Sequence, residues 1–468
     1  MRKHLKQILH DEFAILKQAA GSASKRFQKT KLFRMMFQAI WQVPKMADVY
    51  GKMNIRRDRA YSKKLLSQIR LTGRLPETLQ ECLIHDEFVI SINHSDYTKV
   101  VAGVEIMIMD EEIAYNSRKI SYLNIFPILE SKLRLVSDDE PFYVGINCNG
   151  KRIGVADTEG LLSAIDALFP AKLQRVIIHH TKGFDLALIA KLLAKTPERK
   201  ARFWLHDNFS LCPNYTLLRN DIKYCGAPDV DSYACRTCKY GHMRKLQQQL
   251  FAQFFKDNKL EIAAPSKFTL NLWIAKSAFK GHSAKVIPHL RLSWRDRLPA
   301  HEVGTTKRIG FVGYPVYWKG WETWLRLVGK YFTDDRYRFF CFTSWGIPSE
   351  RMTQVDVSVS RESRMSMVEA LVHNKIDVAF LWSLCPETFS FTLYESIAAG
   401  CFVLTNRDSG NIGAYVKENP DQGFVLRDEG GLFSLFSGDS LEVAVTNYQR
   451  SGKARADLVF LPEFELST

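Results

Sequence analysis

Between residues 376 and 406 the chain runs through an apolar segment, IDVAFLW, a turn, SLCPETF, a helix-like stretch, SFTLYESIAAG, and a second apolar segment, CFVLTN. Two strand-length apolar runs joined by a helix form a parallel pair, because an antiparallel return needs only a tight turn. Strands in parallel sheets are buried on both faces and so read as unbroken apolar runs. Units of this kind bind ligands beyond the carboxyl ends of their strands, against helix N-termini whose free amides attract anions. Gly400 suits a left-handed helix C-cap. Glu387 and Glu395 bracket the turn and the helix. We expect Glu387 in the loop and Glu395 inside the helix, which sets the two acids along a ligand and not side by side.

The same alternation extends over most of the chain. Strand candidates are 87–93, 120–126, 142–147, 175–180, 202–207 and 261–266, with helices at 158–168 and 184–195 between them. A polar stretch with Pro and Gly at 289–306 reads as an interdomain linker, and a second series follows at 307–313, 338–343, 377–382 and 401–406. The expected class is α/β, with two doubly wound Rossmann-like domains facing a cleft. The expected division is a helical extension at 1–84, a first domain at 85–290 and a second at 291–468. With 468 residues, each domain is long enough to bury its own core.

Charge is distributed unevenly. Residues 1–76 hold 18 Lys and Arg against four acids, a net of +14, whereas the whole chain is only +15. The basic character therefore belongs to the extension, within which FRMMFQAIWQVPKMADVYGKM (33–53) supplies large apolar residues. Three partners fit such a segment. An anionic membrane surface would gain on the order of 1 kcal/mol per cation. Docking on the protein itself or on another chain is the second, and nucleic acid, for which no motif is present, the third. No apolar run approaches the roughly 20 residues of a membrane span, and the N-terminus lacks the apolar core of a signal peptide. The expected location is the cytoplasm, with peripheral contact on the inner face of the membrane.

The stretch PETFSFTLYE (386–395) resembles the Glu–seven residues–Glu signature of retaining GT-B glycosyltransferases of family four, of the bacterial polysaccharide and lipopolysaccharide type. The resemblance covers about residues 86–450 and implies a nucleoside-diphosphate-sugar donor. It implies that Glu387 contacts the transferred sugar, that Glu395 holds the ribose, and that amides at Phe391 and Thr392 cradle the diphosphate. Ser390 stands where the family usually has Gly. In VVAGVE (100–105), Gly103 corresponds to one of two glycines that let the backbone approach the diphosphate, and Ala102 replaces the other. A glycine at a helix–strand contact is the alternative reading. His206, at the end of RFWLHD, corresponds to a histidine facing the anomeric centre, with Asp207 placed to orient it or to touch an acceptor; His179 and His180 border the same cleft. In GFVGYPVYWKGW (310–321), Lys319 corresponds to the family's phosphate-binding Lys, its alternative being a solvated lysine at a helix start. Tyr314 replaces the family's Arg, and a phenol does not carry guanidinium charge.

Four of nine cysteines fall within 212–238: Cys212, Cys225, Cys235 and Cys238, the last two spaced C-x2-C. Three roles fit them: a structural zinc site of four thiolates, reduced thiols packed in an ordered loop, or a redox centre. A cytoplasmic location disfavours disulfides, and a similar insertion occurs in some bacterial polysaccharide glycosyltransferases. The expected activity is transfer of a sugar, with retention, to a glycan or lipid-linked hydroxyl acceptor. No cofactor is required for catalysis, and zinc is at most structural. The alternatives are a catalytically inactive GT-B scaffold and, third, a GT-B epimerase or phosphorylase.

Overall fold

The computed structural model describes residues 44–99, 103–129, 134–136, 140–168, 171–196, 201–279, 282–294, 304–346, 349–451 and 456–460. The basic stretch 1–43 and Ala102 lie outside these residues, so the membrane expectation for the far N-terminus does too.

The first domain carries β1 (Glu87–Ile92), β2 (Ile120–Pro127), β3 (Tyr143–Cys148), β4 (Lys151–Asp157), β5 (Lys172–Ile178), β6 (Ala201–Trp204), a small hairpin of β7 (Leu218–Arg219) and β8 (Lys223–Tyr224), β9 (Glu261–Ala264) and β10 (Ser283–Val286). All but the hairpin form one sheet, in the order β10-β9-β6-β5-β1-β2-β3-β4. It is parallel from β10 to β2 and antiparallel through β3 and β4. Ile90 of β1 lies beside Leu123 and Val176, all three fully buried. Burial on both faces is why these strands read as continuous apolar runs rather than alternating ones.

In the second domain β12 (Lys307–Val312), β13 (Tyr337–Phe342), β14 (Thr353–Val355), β15 (Val378–Phe380), β16 (Phe402–Asn406) and β17 (Gly423–Leu426) form an all-parallel sheet in the order β14-β13-β12-β15-β16-β17. The helix Trp321–Tyr331 covers one face through Trp324, Leu327, Val328 and Tyr331, an i, i+3, i+4, i+7 stripe that is buried along its length. Burying side chains of this size contributes roughly 1.5–3 kcal/mol each. The strand order reverses between β12 and β15, and that is where a parallel sheet opens a crevice for ligands.

Between the domains, β11 (Leu290–Trp294) pairs antiparallel with β18 (Ala456–Phe460). The stretch expected to be a linker is thus a strand at its start. Its partner lies more than 160 residues away in sequence, so no local pattern could announce the pairing.

Residues 44–82 pack on the first domain. The helix Pro44–Leu66 lies against the helix Gly241–Asp257 so closely that a Cβ at Gly51 would stand 2.7 Å from His242 Cβ, and Asp48 pairs with His242 at 2.8 Å. Asp58 holds Arg134 at 2.7 Å, and Leu75 and Leu79 enter the first core. Among the described residues no helix is long and apolar enough to cross a membrane.

Candidate functional site

A cavity of about 300 Å³ opens between the domains at the carboxyl ends of the second sheet. One side is formed by Val312–Tyr314 after β12, Phe342–Ser344 after β13, Val357–Val359 after β14 and Phe389–Thr392 after β15. The first domain closes it with one face of the helix Gly103–Ser117, through Gly103, Ile106, Met107 and Asp110, while His289 and Phe460 flank it from the two-stranded element. Of the residues singled out in the sequence, Gly103, Lys319, Ser390, Phe391, Thr392 and Glu395 line this cavity. Its volume is at the lower end of the roughly 300–1,000 Å³ typical of ligand sites.

Lys319 ends a short turn, Tyr317–Lys319, and its Nζ lies 2.7 Å from Glu387 Oε1. Burial alone would lower the lysine's pKa; the carboxylate outweighs it and holds the ammonium above the ordinary lysine value. Ser383 Oγ stands 2.8 Å from the same Oε1, which leaves Oε2 of Glu387 for other donors. Glu387 sits behind Lys319, not in the cavity wall itself. Two glycines hold this arrangement. Gly320 (φ +83°) lets the Lys319 turn pass so close to Trp382 that a Cβ would meet its carbonyl oxygen at 2.2 Å. Gly410 (φ +68°) lies against Glu387, and a Cβ there would meet the Glu387 nitrogen and oxygen at 2.5 Å. Gly410→Ala is therefore expected to lower the melting temperature by roughly 2–8 °C, since left-handed strain costs about 1–2 kcal/mol before the clash is relieved. Calorimetry checks this, and an unchanged melting temperature would show that the Glu387 loop yields freely.

Ser390 caps the helix Phe391–Ala398, accepting from Leu393 N at 3.3 Å, and its own N–H donates to Asn411 Oδ1 at 3.3 Å. The first turn of a helix leaves its amides without intrahelical partners, and here that turn faces the cavity. Gly400 ends the element with φ +82°, as expected. Glu395 lies inside the helix with 5% of its surface exposed, and burial pushes its carboxyl up to about 7. Gly103 starts the opposing helix, where a Cβ would stand 2.7 Å from the Phe391 ring. Gly103 thus lines the cavity and packs against the start of another helix, not against a strand.

His206 is buried away from the cavity surface. Its Nε2 lies 3.1 Å from His179 Nδ1, its Nδ1 lies 3.3 Å from His289 Nε2, and Trp204 stacks on its ring at 4.9 Å. Burial, then the neighbouring His289 and His179, pushes its pKa well below the usual histidine range. His180 forms a separate pair: Lys182 N donates to Nδ1 at 2.9 Å, so Nε2 carries the proton that meets Asp207 Oδ2 at 2.7 Å. Burial opposes ionisation of Asp207, but His180 outweighs it and holds the carboxyl below its ordinary value.

Several contacts across the cleft had no signal of their own in the sequence. Arg364 donates to Asp110 Oδ2 and Arg361 stands 3.5 Å from Oδ1, tying second domain to first beside the cavity. Thr388, inside PETF, receives Ser266 Oγ at 2.7 Å and Thr269 Oγ1 at 2.9 Å on its carbonyl, while its hydroxyl donates to the His206 carbonyl. Tyr314 is exposed, with its ring 5.7 Å from Trp345. The second cation in the cavity wall is Arg364, 50 positions further on.

The cysteine insertion lies on the other side of the Lys319 turn. Cys212, Cys225, Cys235 and Cys238 line one small cavity of about 20 Å³, and Arg244 Nη1 donates to Cys235 Sγ at 2.7 Å. All nine cysteines are free. Among the described residues no group of three or more His, Cys, Asp or Glu side chains is arranged to hold a metal ion. The insertion buttresses the site: Ile222 O accepts from Tyr317 Oη at 2.7 Å, and Leu218 packs with Tyr317 and Cys385.

The sequence matches no protein-family model and no curated protein. Solved structures similar to the chain include sucrose-phosphate synthase from Thermosynechococcus elongatus, with 11% identity over 78% of this chain and 93% of that one and a TM-score of 0.46. Anabaena HepE in complex with UDP and glucose gives 10% identity, 78% and 93% coverage and a TM-score of 0.45. WaaG, a glycosyltransferase involved in lipopolysaccharide biosynthesis, gives 10%, 78% and 94%, and 0.42.

Proposed function

We propose that the chain transfers a sugar, with retention, from a nucleoside diphosphate to a hydroxyl of a glycan or lipid-linked acceptor. The observation that carries this reading is the convergence on one interdomain cavity of the Phe391 helix N-terminus, the Lys319 ammonium and the buried carboxyl of Glu395. Amides and ammonium suit a diphosphate, and a buried carboxylate suits the two hydroxyls of a ribose.

In the reaction the bond between the sugar's anomeric carbon and the β-phosphate oxygen breaks, with its electron pair on the phosphate. The acceptor oxygen bonds the same face of the carbon, and its proton passes to the departing phosphate. Lys319 has three N–H donors; one meets Glu387 and the others remain for the phosphate as its charge grows. Glu387, behind the lysine and outside the cavity wall, orients that ammonium toward the phosphate. The domains exclude water, which would otherwise compete as acceptor.

Thermal unfolding against a panel of nucleoside mono- and diphosphates and nucleotide sugars tests the reading. One diphosphate family is expected to stabilise the protein, by about 2.7 kcal/mol when present at 100 times its Kd. No shift with any nucleotide would overturn the proposal.

A further inference from the structure

The cavity extends well beyond Lys319, and two independent rulers show how far. Along the first domain, the helix Gly103–Ser117 runs from Gly103, which makes room for the Phe391 ring, past Ile106 and Met107 to Asp110. Seven residues of α-helix rise about 10 Å. Along the second domain, Lys319 and the Phe391 helix start flank the crevice between β12 and β15. Val357–Val359 and Arg364 instead follow β14, the edge strand beyond β13. Neighbouring strands lie about 4.8 Å apart, so this offset again comes to roughly 10–14 Å.

A charged clamp drawn from both domains stands at that far end. Arg364 Nη2 donates to Asp110 Oδ2, Arg361 Nε lies 3.5 Å from Oδ1, and the Arg364 guanidinium sits over the Phe460 ring at 4.7 Å. The Arg364 and Asp110 side chains keep 16% and 13% of their surface open, and both line the cavity. A guanidinium is charged at any working pH. It carries five N–H donors and no acceptor, and Asp110 Oδ2 takes up Nη2. The lining also includes Phe342, Val357 and Met367, which belong to one buried apolar cluster.

We propose that Arg364 hydrogen-bonds the edge of the donor's nucleobase, and that Asp110 is a positioning residue that holds the guanidinium there from the opposite domain. The inference rests on the nucleotide-sugar reading and names the class of base within it. With the diphosphate at Lys319 and the ribose at Glu395, the base takes up the remaining length of the cavity. Its apolar ring faces meet apolar walls and its polar edge meets the clamp. The two phosphates share one bridging oxygen, so they do not span the gap from Lys319 to Arg364. A group that only donates suits a carbonyl oxygen, as on uracil, thymine or guanine. Adenine is the one common base without a carbonyl, and it turns an amino group to its edge. The mismatch disfavours adenine by roughly 5- to 150-fold.

The test measures binding of UDP, TDP, GDP and ADP by calorimetry. In the unaltered protein one of the first three is expected to bind at least about fivefold tighter than ADP. ADP binding as tightly as the best of them overturns the inference while leaving the function standing; no binding by any of the four overturns the function instead. In Arg364→Met, affinity for the preferred diphosphate is expected to fall about 10- to 100-fold, with ADP unchanged within about threefold. Equal loss for both would make Arg364 a phosphate contact, and loss for neither would remove it from the site; either result overturns the inference. Asp110→Asn keeps the side chain's shape and guards against a folding defect in the first variant. It is expected to shrink the preference over ADP by about three- to tenfold, and a preference left at its full value overturns the positioning role.

Discussion

Lys319→Ala is expected to lower the rate of sugar transfer by about 10²–10³-fold, the usual effect of deleting one preorganised donor to a charge that develops in the transition state. The loss should appear in turnover and in diphosphate affinity together, because the ammonium meets phosphate both before and during bond breaking. Glu387→Ala is expected to lower turnover by a similar factor through a different route. It removes the carboxylate that holds Lys319 at 2.7 Å and so misplaces an ammonium that can still reach phosphate, and nucleoside diphosphate alone should still bind within a few-fold of the unaltered protein. Steady-state kinetics with calorimetry on both variants separates these outcomes. Turnover within threefold of normal in Glu387→Ala would remove that residue from the reaction.

Glu395→Gln is expected to stabilise the ligand-free protein, and to do so increasingly as pH rises. The Glu395 carboxyl is raised from its ordinary 4.5 to about 7 by burial. Between those values the folded state binds the proton more tightly than the unfolded state, so stability is lost as pH climbs through that window. Above it, the buried charge costs about 3 kcal/mol, because each tenfold change in proton affinity corresponds to about 1.4 kcal/mol. The amide carries no such cost. Urea unfolding should place Glu395→Gln about 3 kcal/mol above the unaltered protein at pH 8 and less than about 1 kcal/mol above it at pH 5. An increment equal at both values would show that burial does not hold the carboxyl protonated. The same variant should bind nucleotide more weakly, since the charge that destabilises the empty site is the one proposed to hold the ribose.

The sequence alone determined the local units. Parallel strands buried on both faces leave unbroken apolar runs, so β1, β2, β12 and β16 were legible within a residue or two of their observed ends. The helix at Phe391–Ala398, its end at Gly400 and the location of Glu395 within it were legible for a local reason: helix termination acts within one turn of the chain. Short or edge elements such as β10, β14 and β17 escaped, because a strand of three or four residues has too few positions to show a pattern. Only the tertiary structure decided what those units bring together. Asp110 meets Arg364, Thr388 joins the two domains, and His179, His206 and His289, spread over 110 positions, form one line. Tertiary packing also set the positions within motifs that were visible, turning His206 away from the cavity and placing Glu387 behind Lys319. Contacts of this kind depend on how two sheets dock, and docking is governed by the summed shape of many buried side chains rather than by any short run of residues.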